Sequence, residues 1–108
     1  MKRFASHYLY VLPDTCHSLY VVELEDNGRL KTFFPLAQEL CATQWIGGVI
    51  VISPFSDLRI CSGERFADFL VRVVVGAETG MPMYAWHIAI FDCAQKEFVA
   101  GSKAIRLG

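Results

Sequence analysis

Three histidines and four cysteines carry the softest chemistry in this sequence: His7, His17 and His87, with Cys16, Cys41, Cys61 and Cys93. Such side chains hold zinc when three or four converge at about 2.0–2.3 Å from the ion, usually with one closely spaced pair among them. The cysteines stand 25, 20 and 32 residues apart, so there is no C-x-x-C pair. Cys16 and His17 are adjacent, but neighbours on an extended chain point to opposite sides. The spacing therefore implies no metal site and no cofactor, with reduced thiols acting as small apolar side chains. Cys61-Ser62-Gly63 precedes an amphipathic stretch, and a helix N-terminus favours thiolate. A nucleophilic cysteine also needs a base, and no histidine lies near Cys61 in sequence. A buried small residue ahead of an N-capping Ser62 is the simpler expectation.

His87 stands between Ala85 and Ala89 on one strand face, and these small neighbours leave room for a ligand or for close packing. A pocket lined by Tyr8, Tyr10, Trp86 and His87 would be largely apolar with a few polar groups, the usual character of a small-molecule site. A lone histidine on an apolar strand is more often hydrogen-bonded into a core. Gly76-Ala77-Glu78-Thr79-Gly80 lacks the lysine and spacing of a phosphate-binding loop. Glu23, Glu25 and Asp26 sit where a hairpin turns, where solvated charges are expected. No catalytic residue is assigned.

The elements that must position these groups follow from composition and period. The chain has 108 residues, 54% hydrophobic and 19% charged, with a net charge of -1. One domain over residues 1–108 is the expectation for this length. Intermixed charge argues against nucleic acid, which needs a clustered basic face. The apolar runs at 46–52 and 69–75 fall short of the roughly 20 residues that span a bilayer, so no membrane partner is expected. Ser6 and His7 interrupt any signal-like apolar segment, and a cytoplasmic location is expected. A charged share below the usual quarter or so implies apolar surface covered by a partner protein, most simply in a homo-oligomer.

Residues 4–12 predict a strand with Phe4, Ser6, Tyr8, Tyr10 and Leu12 on one face. Residues 19–25 and 29–34 flank Asp26-Asn27-Gly28 and predict a β-hairpin. A single helical turn is expected over 36–40 behind Pro35. Residues 49–52 predict a central strand entered through a tight Gly47–Gly48 pair. Phe66, Phe69, Leu70, Val73 and Val74 recur at helical spacing, predicting one amphipathic helix over 64–74, stopped at Gly76. A loop follows at 77–82, then a strand at 84–91, a turn at 92–96 and short closing strands at 98–100 and 104–107. The expected class is α+β, β-rich, with about six mainly antiparallel strands and the helix packed on the sheet or at its end.

The strand at 2–9, the hairpin at 21–30 around Asp26-Asn27-Gly28 and the Gly48-Val49-Ile50 strand start resemble the small β (composite) domain of the metal-dependent amidohydrolases. Residues 84–90 and 98–107 match the strands that return after the barrel in that family. Where the family places a His-x-His metal pair, this chain has Val51-Ile52-Ser53-Pro54-Phe55. The resemblance thus implies an accessory domain without the catalytic barrel, and no hydrolytic residue carries over. The expected function is a non-catalytic interaction or accessory domain that self-associates, and the alternative is a small-molecule binding protein or minor enzyme with a pocket near Tyr8, Trp86 and His87.

Overall fold

The computed structural model describes residues 2–12, 14–36, 43–74 and 82–108. Among these residues the chain forms nine strands and one helix: β1 (Lys2–Leu12), β2 (Thr15–Leu24), β3 (Leu30–Pro35), β4 (Thr43–Trp45), β5 (Val49–Ser53), α1 (Phe66–Val73), β6 (Tyr84–Ile88), β7 (Phe91–Asp92), β8 (Glu97–Phe98) and β9 (Ile105–Arg106). The main sheet runs β3-β2-β1-β5-β6-β9, and β4 also pairs with β1. It is mixed: β4 and β5 lie parallel to β1, whereas the remaining neighbours are antiparallel. A separate two-stranded ribbon joins β7 to β8. The expected α+β class is the observed one, with short extra strands raising the count.

β5 is the centre of this arrangement. Its residues Val-Ile-Val-Ile-Ser are β-branched at four of five positions, and all five are buried. Val49 and Val51 face α1, packing with Tyr10, Trp86 and Ile88 against Phe66, Phe69, Leu70 and Val73. Ile50 and Ile52 face the other way, with Leu9, Val22, Leu24 and Ala85. Each such side chain contributes about 1.5–3 kcal/mol by leaving water. The second cluster is covered because the sheet rolls on itself: Leu30 N donates to Met83 O at 2.7 Å, and Arg29 bridges to Tyr84. The start of β3 thus meets the start of β6, and Leu30, Phe33, Met83 and Leu107 close over the apolar interior.

β4 and β5 are one strand along β1, broken at Gly47–Gly48. Both glycines are left-handed, with φ of 65° and 63°, as the tight glycine pair predicted. Opposite this break β1 and β2 change faces. Strict alternation would group Phe4 with Tyr10, yet Phe4 packs with Leu9 and Val11. The change occurs between Ser6 and Tyr8, where the amides of His7 and Tyr8 both donate to Gly48 O. Across the ladder the facing residue is Leu19, held at φ 53°. Period-2 reasoning on β1 fails here because a backbone irregularity resets it.

The hairpin forms where Asp26-Asn27-Gly28 predicted: Asn27 Oδ1 accepts from Arg29 N, and Gly28 has φ 85°. β2, however, begins at Thr15, immediately after the first turn. Glu23 is not a solvated hairpin charge. It is 6% exposed and lies between Arg3 Nε at 2.8 Å and Lys31 Nζ at 3.4 Å. The Arg3 guanidinium, aided by Lys31, holds its carboxyl below the usual range.

The helix is shorter than its periodicity suggested, and Ser62 does not cap it. Its N-cap is Arg65, which makes no side-chain capping bond. Glu97 reaches across from β8 instead, its Oε1 accepting from Phe66 N at 2.6 Å and from Phe98 N at 3.1 Å. A local motif search misses such a cap because the carboxylate arrives from 31 residues away. All but Leu36 of the helical turn expected over 36–40, the Gly76 stop and most of the 77–82 loop lie outside the described residues.

The two glycines differ in what surrounds them. A Cβ on Gly48 would run into the backbone oxygen of Ile88, whereas one on Gly47 would meet only side chains, the His7 ring at 3.3 Å and Trp45 Nε1 at 3.9 Å. Gly47→Ala should cost about 1–2 kcal/mol for its left-handed φ alone, and Gly48→Ala about 3 kcal/mol or more. Urea unfolding of the two variants checks the order, and equal losses would contradict it.

Candidate functional site

The break in the β4–β5 strand brings together two of the three histidines. His7, on β1, faces solvent and accepts a hydrogen bond at Nδ1 from Gly48 N at 3.0 Å. That acceptor role leaves Nδ1 unprotonated, so the neutral ring holds its proton on Nε2. His87, on β6, places Nε2 3.1 Å from Gly47 O. A carbonyl only accepts, so this Nε2 carries the proton. The two imidazoles therefore grip consecutive peptide groups with opposite hydrogen-bond polarity. Trp45, at the end of β4, sets its ring edge-on to His7 at 4.9 Å. Both ring nitrogens involved are taken up by backbone, and no group of three or more metal-binding side chains converges among the described residues.

Burial pushes the His87 imidazole below its ordinary value, an effect partly offset by the carbonyls of Gly47 and Ile46. His17 lies apart on β2, packed on Tyr20 at 4.5 Å and Phe33 at 5.9 Å between ring centres.

The four residues expected to line a pocket are divided between the two faces of the sheet, with Tyr8, Tyr10 and Trp86 on the helix side. Trp86 and His87 are consecutive on β6 and face opposite sides of the sheet. Trp86 is buried on the helix side, its Nε1 donating to Phe55 O at 3.1 Å. Tyr10 packs edge-on against Phe66 on the same side. Burial raises its phenol far above the ordinary value, reinforced by a hydrogen bond with Cys16. Tyr8 is half-buried beneath Lys96, 5.1 Å from its ring. A groove of about 670 Å³ beside α1 includes Tyr10 with Cys16, Phe66 and Leu70, and its rim holds the oppositely charged Lys96 and Glu97.

Cys61 is exposed rather than buried. Its amide donates to Glu64 Oε1 at 3.0 Å, and Glu64 in turn receives Nε and Nη2 of Arg72 at 2.9 Å each. Arg72 keeps the Glu64 carboxyl below the usual range. The Cys61 loop is thus tied to the last turn of α1 by an ion pair and presents no histidine base among these contacts.

Sequence reasoning missed Trp45 and Leu19, which flank His7. Trp45 is 50% exposed, Leu19 51% and Leu36 37%. Leu36 N donates to Leu19 O, which ties the end of β3 to this part of β2. The signal for Trp45 was its place just before Gly47–Gly48. For Leu19 there was none, because its exposure follows from the change of face. Comparison with known proteins found no matching family model, no matching curated protein and no matching solved structure. Among the described residues no helix is long and apolar enough to cross a membrane.

A lowered His87 value makes stability depend on pH with a definite sign. Below about 6.5 the unfolded chain takes up a proton that folded His87 resists, so stability falls as pH drops from there toward the folded value. The lowered carboxyls of Glu23, Glu64 and Glu97 act in a separate window, stabilising above 4.5 and losing that effect as pH falls below it. Denaturant unfolding between pH 7.5 and 5.5 should show the upper limb in the native chain and a shallower one in His87→Gln, which keeps the donor. An unchanged slope in the variant would contradict the assignment.

Proposed function

We propose that this chain is a non-catalytic interaction domain that pairs with a second copy of itself across the face formed by Trp45, His7, Leu19 and Leu36. The observation that carries the proposal is that three of the nine exposed large apolar side chains among the described residues, Trp45, Leu19 and Leu36, lie on or at the end of neighbouring strands of one sheet. They follow one another from β4 across β1 and β2 to the end of β3. A tryptophan half out of water is the kind of side chain that dominates association when it finds a pocket. Trp45, Leu19 and Leu36 carry no charge and the His7 ring that accepts from Gly48 N is neutral, so two copies bring no like charges together through these four residues, and one self-complementary patch suffices for a twofold pair. The high apolar share of the sequence supports the same reading, because homodimer interfaces are the more apolar class.

Further support comes from how the histidines are used. His7 and His87 are each engaged by glycine backbone through one ring nitrogen, which gives both a role in fastening the sheet. An accessory role of the kind implied by the composite-domain resemblance asks for this combination of a stable small sheet and an apolar docking face. Apolar surface removed from water at the pair would contribute about 25 cal/mol per Å² before the entropy of association is met.

Sedimentation equilibrium over a concentration series should give a monomer–dimer equilibrium. Trp45→Ala and Leu19→Ser should each weaken it by about tenfold or more while the far-ultraviolet circular dichroism is retained. A strict monomer up to high micromolar concentration, or a dimer indifferent to both substitutions, would overturn the proposal.

A further inference from the structure

We propose that His7 is a proton-operated latch on the Gly47–Gly48 corner: a proton taken up at Nδ1 removes the acceptor for Gly48 N–H and frees the corner together with the Trp45 ring. The inference stands on the hydrogen bond and its surroundings, and it holds whether or not the face pairs with a second copy.

The chemistry is one proton moving from solvent to Nδ1. In the neutral ring Nδ1 offers a lone pair to Gly48 N–H. In the imidazolium both ring nitrogens bear hydrogen, so two donors would face each other and the bond cannot persist. Access is direct, because the His7 side chain is exposed. His87 behaves differently. It donates from Nε2 to Gly47 O, and its imidazolium would donate there still. The two histidines thus answer a fall in pH in opposite ways, one releasing its glycine and the other holding on.

Gly48 is suited to such a pivot. Its carbonyl is held by two amides of β1, from His7 at 3.1 Å and Tyr8 at 3.3 Å, while its N–H rests on the imidazole. Losing the second hold leaves the first intact, so the corner can turn without unpairing β5. Left-handed glycines at 47 and 48 relax to other backbone angles with little steric penalty. The Trp45 ring leans on the imidazole that would change charge, and it is half in water already.

The groups that face His7 come from every element packed against it. β4 brings the neutral Trp45 ring, and β5 begins at Val49 with no charged residue. β2 brings Leu19, between Ser18 and Tyr20, with His17 further along packed on Tyr20 and Phe33. β6 brings His87. On β1 itself the nearby cation, Arg3, is held by Glu23.

The test is nuclear magnetic resonance of the full chain, at a concentration where it is monomeric, followed from pH 8 to 5. The Gly48 amide and the Trp45 indole N–H should move along the titration curve of the His7 ring. Exchange of the Gly48 amide, corrected for its intrinsic pH dependence, should speed up about fivefold, the equivalent of one ordinary hydrogen bond. In His7→Asn the side-chain oxygen takes the place of Nδ1 and does not titrate, so the Gly48 resonance should stay fixed over this range. His87→Gln should leave the His7-linked movement in place. A Gly48 amide that ignores the His7 titration, or one that moves equally in His7→Asn, would overturn the latch.

Discussion

A strand with apolar side chains on both faces is stable in water only when strands flank both its edges and layers cover both its faces. β5 is such a strand, and the rest of the structure meets its four requirements. β1 and β6 take its edges, α1 covers Val49 and Val51, and the rolled sheet covers Ile50 and Ile52. The Gly47–Gly48 break follows from the same demand. The chain must leave the line of β4 and start β5 against the backbone of Ile88, where a Cβ at position 48 has no room. Two histidines then satisfy the peptide groups that this break would otherwise leave without partners.

Much of this was legible in the sequence, and the parts that were not share a cause. The β5 run, the Asp26-Asn27-Gly28 hairpin and the α1 apolar stripe are local patterns, set by period and turn chemistry within a few residues. What escaped was nonlocal. Glu97 caps a helix 31 residues before it, Glu23 is enclosed by cations from both neighbouring strands, and β1 changes face because Gly48 O draws in two consecutive amides. None of these has a sequence signature, since each depends on which strands become neighbours. The short β7–β8 ribbon likewise takes its place from ring packing of Phe91 and Phe98 around Phe66 rather than from strand propensity.

The candidate site shows the same division. Residues able to do chemistry were easy to name, but their grouping was not. His7 and His87 are 80 residues apart and meet at one glycine pair, whereas Trp86 and His87 are adjacent and face away from each other. The grouping on which the proposed pairing rests, Trp45 with His7 and Leu19, arises because the change of face turns Leu19 outward at the level where the imidazole supports the indole. One backbone irregularity thus links the packing of β5 to the surface on which the functional proposal rests.

The most direct test of β5 as the organising element is native-state hydrogen exchange resolved by residue. The amides of Val49 to Ile52 and their partners on β1 and β6 should be the last to exchange, opening only with global unfolding, while those of β7, β8 and β9 exchange through local opening at lower free energy. If the β5 amides exchange as fast as those of β9, the sheet is not held from its centre and the account fails.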